Sequence, residues 1–325
     1  MQAKADHINP FSISFIIPYY NLPVDMLKEC IDSILSLPLQ PQEREIIIVD
    51  DGSDCSVEAD LNAYADNISY IRKENEGVSV ARNVGLEEAE GNYIQFVDAD
   101  DKLMKGPYAH CIELIRNNPA DMLLFDFTTT QSSAAAYTDE GPMSGTAVMR
   151  NRNIHGSTWG YIFRKSIGQN CRFTPGVSYG EDEEFTARLL IQAESVMMTD
   201  AQAYYYRQHE RSATQQTSRN DKRLSDTRAV ISRLYHLAET LPEDKHDALQ
   251  RRVAQLTMDY IYNVIRLTRS EELLDSTLVD LRSEHLFPLP DKAYTTKYTW
   301  FRRMTNSAFG RKMLIMTIPL MKKER

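Results

Sequence analysis

The chain is 325 residues long, 42% hydrophobic and 26% charged, which excludes a disordered or fibrous chain and leaves room for one large domain or two ordinary ones. Its net charge of −9 is uneven: Lys+Arg against Asp+Glu is 6 against 19 in residues 1–100 (−13), 9 against 12 in residues 101–200 (−3) and 22 against 15 in residues 201–325 (+7). So acidic a first segment argues against a nucleic-acid footprint there and suits cation binding.

Residues 12–18 (SISFIIP) predict a first strand, and residues 26–37 a helix with Leu27, Ile31, Ile34 and Leu35 at helical spacing. Residues 45–49, rich in β-branched side chains, predict a second strand. Strand, helix and strand in that order form a βαβ unit, with parallel strands and a right-handed crossover. Further strands are expected at 68–72, 93–97 and 122–127, with helices at 79–89 and 107–117 between them. Residues 130–153 are polar and rich in Ser, Thr and Ala, and read as an insertion or mobile loop over the site. Residues 181–192 predict a helix with Phe185, Leu189 and Leu190 inward, and 195–207 one or two strands. From Asp221 onward the pattern is helical, and the charge changes sign near 215. The expectation is an α/β first domain, 1–215, with a mixed, mainly parallel central sheet and flanking helices, followed by a C-terminal helical region, 216–325.

Two strands end in acid. Tyr93-Ile94-Gln95-Phe96 runs into Val97-Asp98-Ala99-Asp100-Asp101, and Ile46-Ile47-Ile48-Val49 into Asp50-Asp51-Gly52-Ser53. Packed like charges cost free energy unless a cation sits among them. A divalent ion on few carboxylates usually also holds a substrate's phosphates. Asp98 and Asp100 flank one residue and point the same way on a strand, so they can share one cation. Each cluster also has a plain reading, a solvated Asp-rich turn or an Asp-Gly turn. In an open α/β sheet both clusters fall on the edge where ligands bind.

An ordered series of blocks resembles the family 2 glycosyltransferases, with the A-type nucleotide-diphospho-sugar transferase fold. The blocks are FIIPYYN at 15–21, EIIIVDDGS at 45–53, ENEGVSVARNVGLEEAEGNYIQFVDADD at 74–101, STWGYIFRKS at 157–166, GEDEEF at 180–185 and YYYRQHERSAT at 204–214. The resemblance covers roughly residues 12–214 and implies roles residue by residue. Pro18, Tyr20 and Asn21 would wrap the base. Asp51 would bind uracil, with Asp50 beside the base and ribose. Arg82 would lie near the nucleotide, Asp98 toward the ribose and Asp100 toward the metal, with Asp98 as a further metal ligand; His209 reads as a metal ligand, a diphosphate contact or a structural loop histidine. Asp182 would be the catalytic base. Trp159, Gly160 and Glu181 would shape the acceptor side. For Arg82, Glu181, Asp182 and Trp159 the alternatives stay open: an internal ion pair, acidic residues at a helix start, a core aromatic.

The resemblance implies an inverting, metal-dependent hexosyltransferase that uses Mn²⁺ or Mg²⁺. It would move a sugar from a nucleotide-diphospho-sugar, with UDP as nucleotide, to a saccharide or lipid-linked saccharide in bacterial surface polysaccharide or glycolipid synthesis. The Gln-x-x-Arg-Trp block and membrane helices of the processive synthases are missing, so transfer of one sugar or few is expected. A sugar-phosphate nucleotidyltransferase needs a Gly-rich basic loop where this chain has Pro18-Tyr19-Tyr20-Asn21. A non-catalytic nucleotide-sugar-binding protein would be expected to lack Asp100 or Asp182. Cys30, Cys55, Cys111 and Cys171 form no metal array or disulfide framework, and no run of eighteen apolar residues or apolar leader occurs, so a cytoplasmic protein is expected. Residues 302–325 carry seven Lys/Arg and one Glu around the apolar stretch 313–321. They read either as an interfacial anchor at the inner face of the cytoplasmic membrane, or as a terminal helix packed on the domain or used as a homodimer contact.

Overall fold

A computed structural model describes residues 11–130, 136–208 and 220–320. The described residues up to Val148, with His155–Gln208, form one compact unit. Met149–Ile154 and the residues from Asn220 onward form a second.

The first unit is built on a mixed sheet of nine strands. These are β1 (Ile13–Tyr19), β2 (Arg44–Asp50), β3 (Ser69–Arg72), β4 (Tyr93–Phe96), β5 (Lys102–Leu103), β6 (Met122–Thr128), β7 (Asp139–Met143), β8 (Tyr161–Arg164) and β9 (Val196–Tyr205). Their order is β3-β2-β1-β4-β8-β6-β9-β5, with β7 also on β9. β3, β2, β1 and β4 are parallel neighbours, as are β6 and β9, while β8 runs antiparallel between β4 and β6. β1 and β2 are apolar without alternation because both faces of a parallel strand are covered; Phe15, Ile16, Ile17, Ile47, Ile48 and Val49 are buried.

The helices are α1 (Val24–Leu35), α2 (Val78–Glu88), α3 (Lys105–Asn117), α4 (Gly145–Asn151), α5 (Lys165–Gly168) and α6 (Glu181–Gln192). α1 turns Leu27, Cys30, Ile31 and Ile34 inward, the stripe its spacing predicts. α2 lies against β1 and β2. Its Gly85 permits the approach, since a Cβ there would stand 2.2 Å from Ile16 Cγ2. Within the insertion expected at 130–153, the described residues 139–151 form regular structure: β7 pairs antiparallel with β9, and α4 follows it. Gly145 lets α4 begin against α6, where a Cβ would lie 2.0 Å from the Leu190 carbonyl oxygen. A polar stretch can join a sheet edge because the ladder uses backbone groups, which composition does not reveal.

The second unit holds α7 (Asn220–Ala238), α8 (Glu243–Thr268), α9 (Glu271–Ser283), α10 (Thr296–Thr305) and α11 (Ala308–Thr317). The last three start on side-chain caps: Ser270, Thr295 and Ser307 accept the backbone N–H of Leu273, Tyr298 and Gly310 at 3.2, 3.0 and 2.9 Å. Arg228 pins α7 to α9, reaching Asp280 at 2.8 Å and Glu284 at 2.5 Å.

Candidate active site

The carboxyl ends of β1 and β2 come together because the two strands are in parallel register, Tyr19 opposite Asp50. Asp51 N–H then donates to the Tyr19 carbonyl at 2.9 Å. Asn21, at φ 48°, accepts the Asp54 N–H on its side chain at 2.9 Å and donates its own N–H to Ser53 Oγ at 3.0 Å. Gly52 has φ +73°, and a Cβ there would stand 2.6 Å from Asn75 N, so this turn accepts no side chain. Pro18, Tyr20 and Asn21 thus sit beside the Asp50–Asp54 loop, with Tyr20 exposed at 48%.

Asp50 and Asp51 are buried. Asp51 accepts the N–H of Glu76 at 3.0 Å and of Gly77 at 2.7 Å, and pairs with Lys73 at 3.0 Å. Asp50 has no solvent exposure. It accepts the Ser53 N–H at 2.8 Å and the Tyr70 hydroxyl at 2.5 Å, and pairs with Arg72 at 3.4 Å. Asp50 therefore holds the turn from inside.

The end of β4 meets the start of α6 at one guanidinium. Arg82 Nη1 donates to Asp182 Oδ1 at 2.6 Å and Glu181 Oε1 at 3.2 Å, and Nη2 to Asp98 Oδ1 at 3.3 Å. Burial works against the Arg82 charge, but Asp182, Asp98 and Glu181 raise its pKa beyond the ordinary value. Enclosure pushes Glu181 up most and Asp182 adds to it; Arg82 pulls back, and the carboxyl settles at about 8. Asp98 is raised by enclosure, lowered by Arg82 and raised again by Asp100 and Asp182, to about 6. The side chains of Asp98 and Asp182 remain 30% and 23% exposed and that of Glu181 10%, so the first two face incoming molecules.

Trp159 is 6% exposed and stacked on Tyr204, with ring centroids 4.4 Å apart and planes at 12°. The indole packs into the core, the alternative left open for it in the sequence. Beside it the Gly160 position is open, with nothing within 4 Å of a Cβ built there.

The residues that the motif reading left without a role lie behind the Asp98–Asp101 loop. The buried Tyr204 hydroxyl accepts the Asp98 N–H at 3.0 Å. Buried Asp101 accepts the Arg207 N–H at 2.7 Å, and Arg207 Nε donates to the Asp100 carbonyl at 2.8 Å. Enclosure with Asp98 and Asp100 nearby pushes Asp101 up to about 9, and its Oδ2 has no hydrogen-bond partner among the described residues. The YYYR run hinted at these contacts, but their pairing depends on β9 ending beside β5, Lys102 opposite Tyr205.

Among the described residues no three His, Cys, Asp or Glu side chains converge as a ready-made metal cage. His209 lies outside them. Burial raises the carboxyls of Asp98 and Asp101 first, and their acidic neighbours raise them further. With oxygen donors and one orphaned carboxylate oxygen, the loop suits a hard divalent cation that takes its remaining ligands from phosphate and water.

Residues 14–173 match the model of the family Glycosyl transferase family 2. The minor teichoic acid biosynthesis protein GgaB of Bacillus subtilis (strain 168) is 28% identical over 223 residues, 65% of this chain and 25% of GgaB. The chain thus spans about a quarter of that relative's length. The crystal structure of S. aureus TarS 1–349 in complex with UDP-GlcNAc superposes with a TM-score of 0.70 at 19% identity, covering 95% of this chain and 91% of that one. The mannosyltransferase PcManGT from Pyrobaculum calidifontis, in complex with GDP-Man and Mn²⁺, gives 0.56 at 14% identity, covering 96% and 88%. At these identities the structural likeness speaks for the fold, while the ordered motifs, the family match and the GgaB relationship speak for descent. The chain belongs to the family 2 glycosyltransferases and has their A-type fold.

Proposed function

We propose that the chain transfers a sugar from a UDP-sugar to an acceptor hydroxyl, with inversion at the anomeric carbon. The acceptor is a saccharide or lipid-linked saccharide in surface-polysaccharide or glycolipid assembly. Residues 1–215 act as the catalytic domain and 216–325 as a helical appendage. The observation that carries this reading is the Arg82 cluster: one guanidinium joins Asp98, at the donor-side strand end, to Asp182 at the start of α6. The teichoic acid role in the name of GgaB and the UDP-GlcNAc bound by TarS support the substrate class.

Each step has a residue. The loop of Tyr20, Asn21 and Asp51 receives the base, and Asp50 keeps that loop in shape. Asp98 and Asp100 would hold Mn²⁺ or Mg²⁺, with His209 as a further candidate ligand. When bound, the ion supplies electrostatic stabilisation of the charge that develops on the diphosphate. Asp182, more exposed than its neighbour Glu181, takes the acceptor proton as general base. The acceptor oxygen bonds to the anomeric carbon, the bond from that carbon to the phosphate oxygen breaks, and the nucleoside diphosphate leaves with the electron pair. Arg82 holds Asp182 in place through its hydrogen bond, and the open space at Gly160 admits the acceptor.

The test is turnover by Asp182→Asn with UDP-sugars and Mn²⁺. Transfer should fall by about 10²–10⁴-fold. The melting-temperature rise on adding UDP should persist. Turnover equal to wild type removes Asp182 from the base role.

A further inference from the structure

We propose that the second unit carries a docking surface for an anionic lipid bilayer, formed by α10 and α11. Four of their large apolar side chains are exposed: Trp300 at 52%, Phe309 at 76%, Met313 at 38% and Met316 at 68%. Phe309, Met313 and Met316 stand at i, i+4 and i+7 and share one face of α11. Two successive short helices rarely expose so many large apolar groups without something to cover them.

The charge around them selects the covering surface. Residues 296–317 hold Lys297, Arg302, Arg303, Arg311 and Lys312 and no Asp or Glu. By helical spacing Lys297 and Arg303 flank Trp300 on either side, and Lys312 flanks Phe309 and Met316. An apolar centre with basic edges is the pattern of an interfacial helix: the rings enter the acyl boundary while long cationic side chains reach the head groups. Tryptophan favours that depth. The acids facing α11 come from α9, with Glu271 3.7 Å from Lys312 and Asp275 3.1 Å from Arg311. The acidic partners are half exposed, and such exposed pairs weigh little against a lipid surface that offers many anionic partners. Among the described residues no helix is long and apolar enough to cross a membrane, so docking would lie in the interfacial plane. Arg302 likewise pairs with Asp291 at 2.5 Å, an acid whose side chain is 87% exposed. The inference stands on the second unit's surface alone and does not depend on the transferase reading.

Flotation of the full chain tests it. With phosphatidylglycerol-rich vesicles the chain should float. Neutral phosphatidylcholine vesicles should carry roughly tenfold less, and high salt should reduce binding to the anionic vesicles. The variant Trp300→Ser, Phe309→Ser, Met316→Ser and the variant Arg303→Glu, Lys312→Glu should each lose flotation with melting temperature unchanged, since all five side chains are exposed. Absence of flotation on anionic vesicles overturns the proposal, as does equal flotation of the triple variant. So does a concentration-dependent dimer that the triple variant abolishes while the wild type ignores vesicles, which would assign the face to a second copy of the chain.

Discussion

A guanidinium enclosed among Asp98, Glu181 and Asp182 is costly to remove, because its loss strands three carboxylates against one another. Arg82→Gln should therefore destabilise the fold by about 3–5 kcal/mol, read as a lower denaturation midpoint at unchanged m-value. Arg82→Lys keeps the charge but loses the planar fork and should fall between the two. Glu181 gives a pH signature. Its carboxyl sits at about 8 in the folded chain against an ordinary value of about 4.3. The folded state therefore binds a proton that the unfolded state has lost, and ligand-free stability falls as pH rises between those values. Glu181→Gln should flatten the melting temperature across pH 5–8 by up to one proton's slope, about 1.4 kcal/mol per pH unit; an unchanged slope would assign the titration to other groups. The sequence carried Asp98, Asp100 and Asp182 as motif positions. It did not carry the enclosure of Asp50, because Tyr70 and Arg72 reach it from β3, a strand brought alongside only by folding.

At the scale of elements the site is held by close contacts between strand ends and helices. α2 carries Arg82 and stands on β1 through Gly85. Gly85→Val should push α2 away from Ile16, costing about 1–3 kcal/mol by overpacking and loosening the Arg82 cluster; stability and transfer rate should fall together. A variant with wild-type melting temperature and lowered rate would separate the two effects. The helix at residues 181–192 was legible to its ends, since its acids cluster in the first turn and Phe185, Leu189 and Leu190 repeat on one face. β7 was not legible: Asp139–Met143 is polar and carries a proline, and it is a strand only because the edge of β9 offers it partners. The same limit hid the Arg207–Asp101 link, which exists because β5 and β9 pair.

For the molecule as a whole, the charge asymmetry along the chain follows its two units. The acidic first hundred residues hold β1, β2 and β4, parallel strands followed at their carboxyl ends by Asp51 after β2 and by Asp98 and Asp100 after β4. The basic last segment holds α10 and α11. Fold class was readable because strand and helix alternate with apolar periodicity, a backbone-level signal. Which side chains meet was readable only where the family pattern assigns positions. The central claim is that the carboxylates at the strand ends hold a divalent cation and, through it, the diphosphate of the donor. Calorimetric titration of the full chain with UDP, in Mn²⁺ and then in EDTA, tests it most directly. UDP should bind at least about tenfold more tightly with Mn²⁺, a difference of about 1.4 kcal/mol, and Asp100→Asn should erase that gain. Equal UDP affinity in Mn²⁺ and EDTA would contradict the claim.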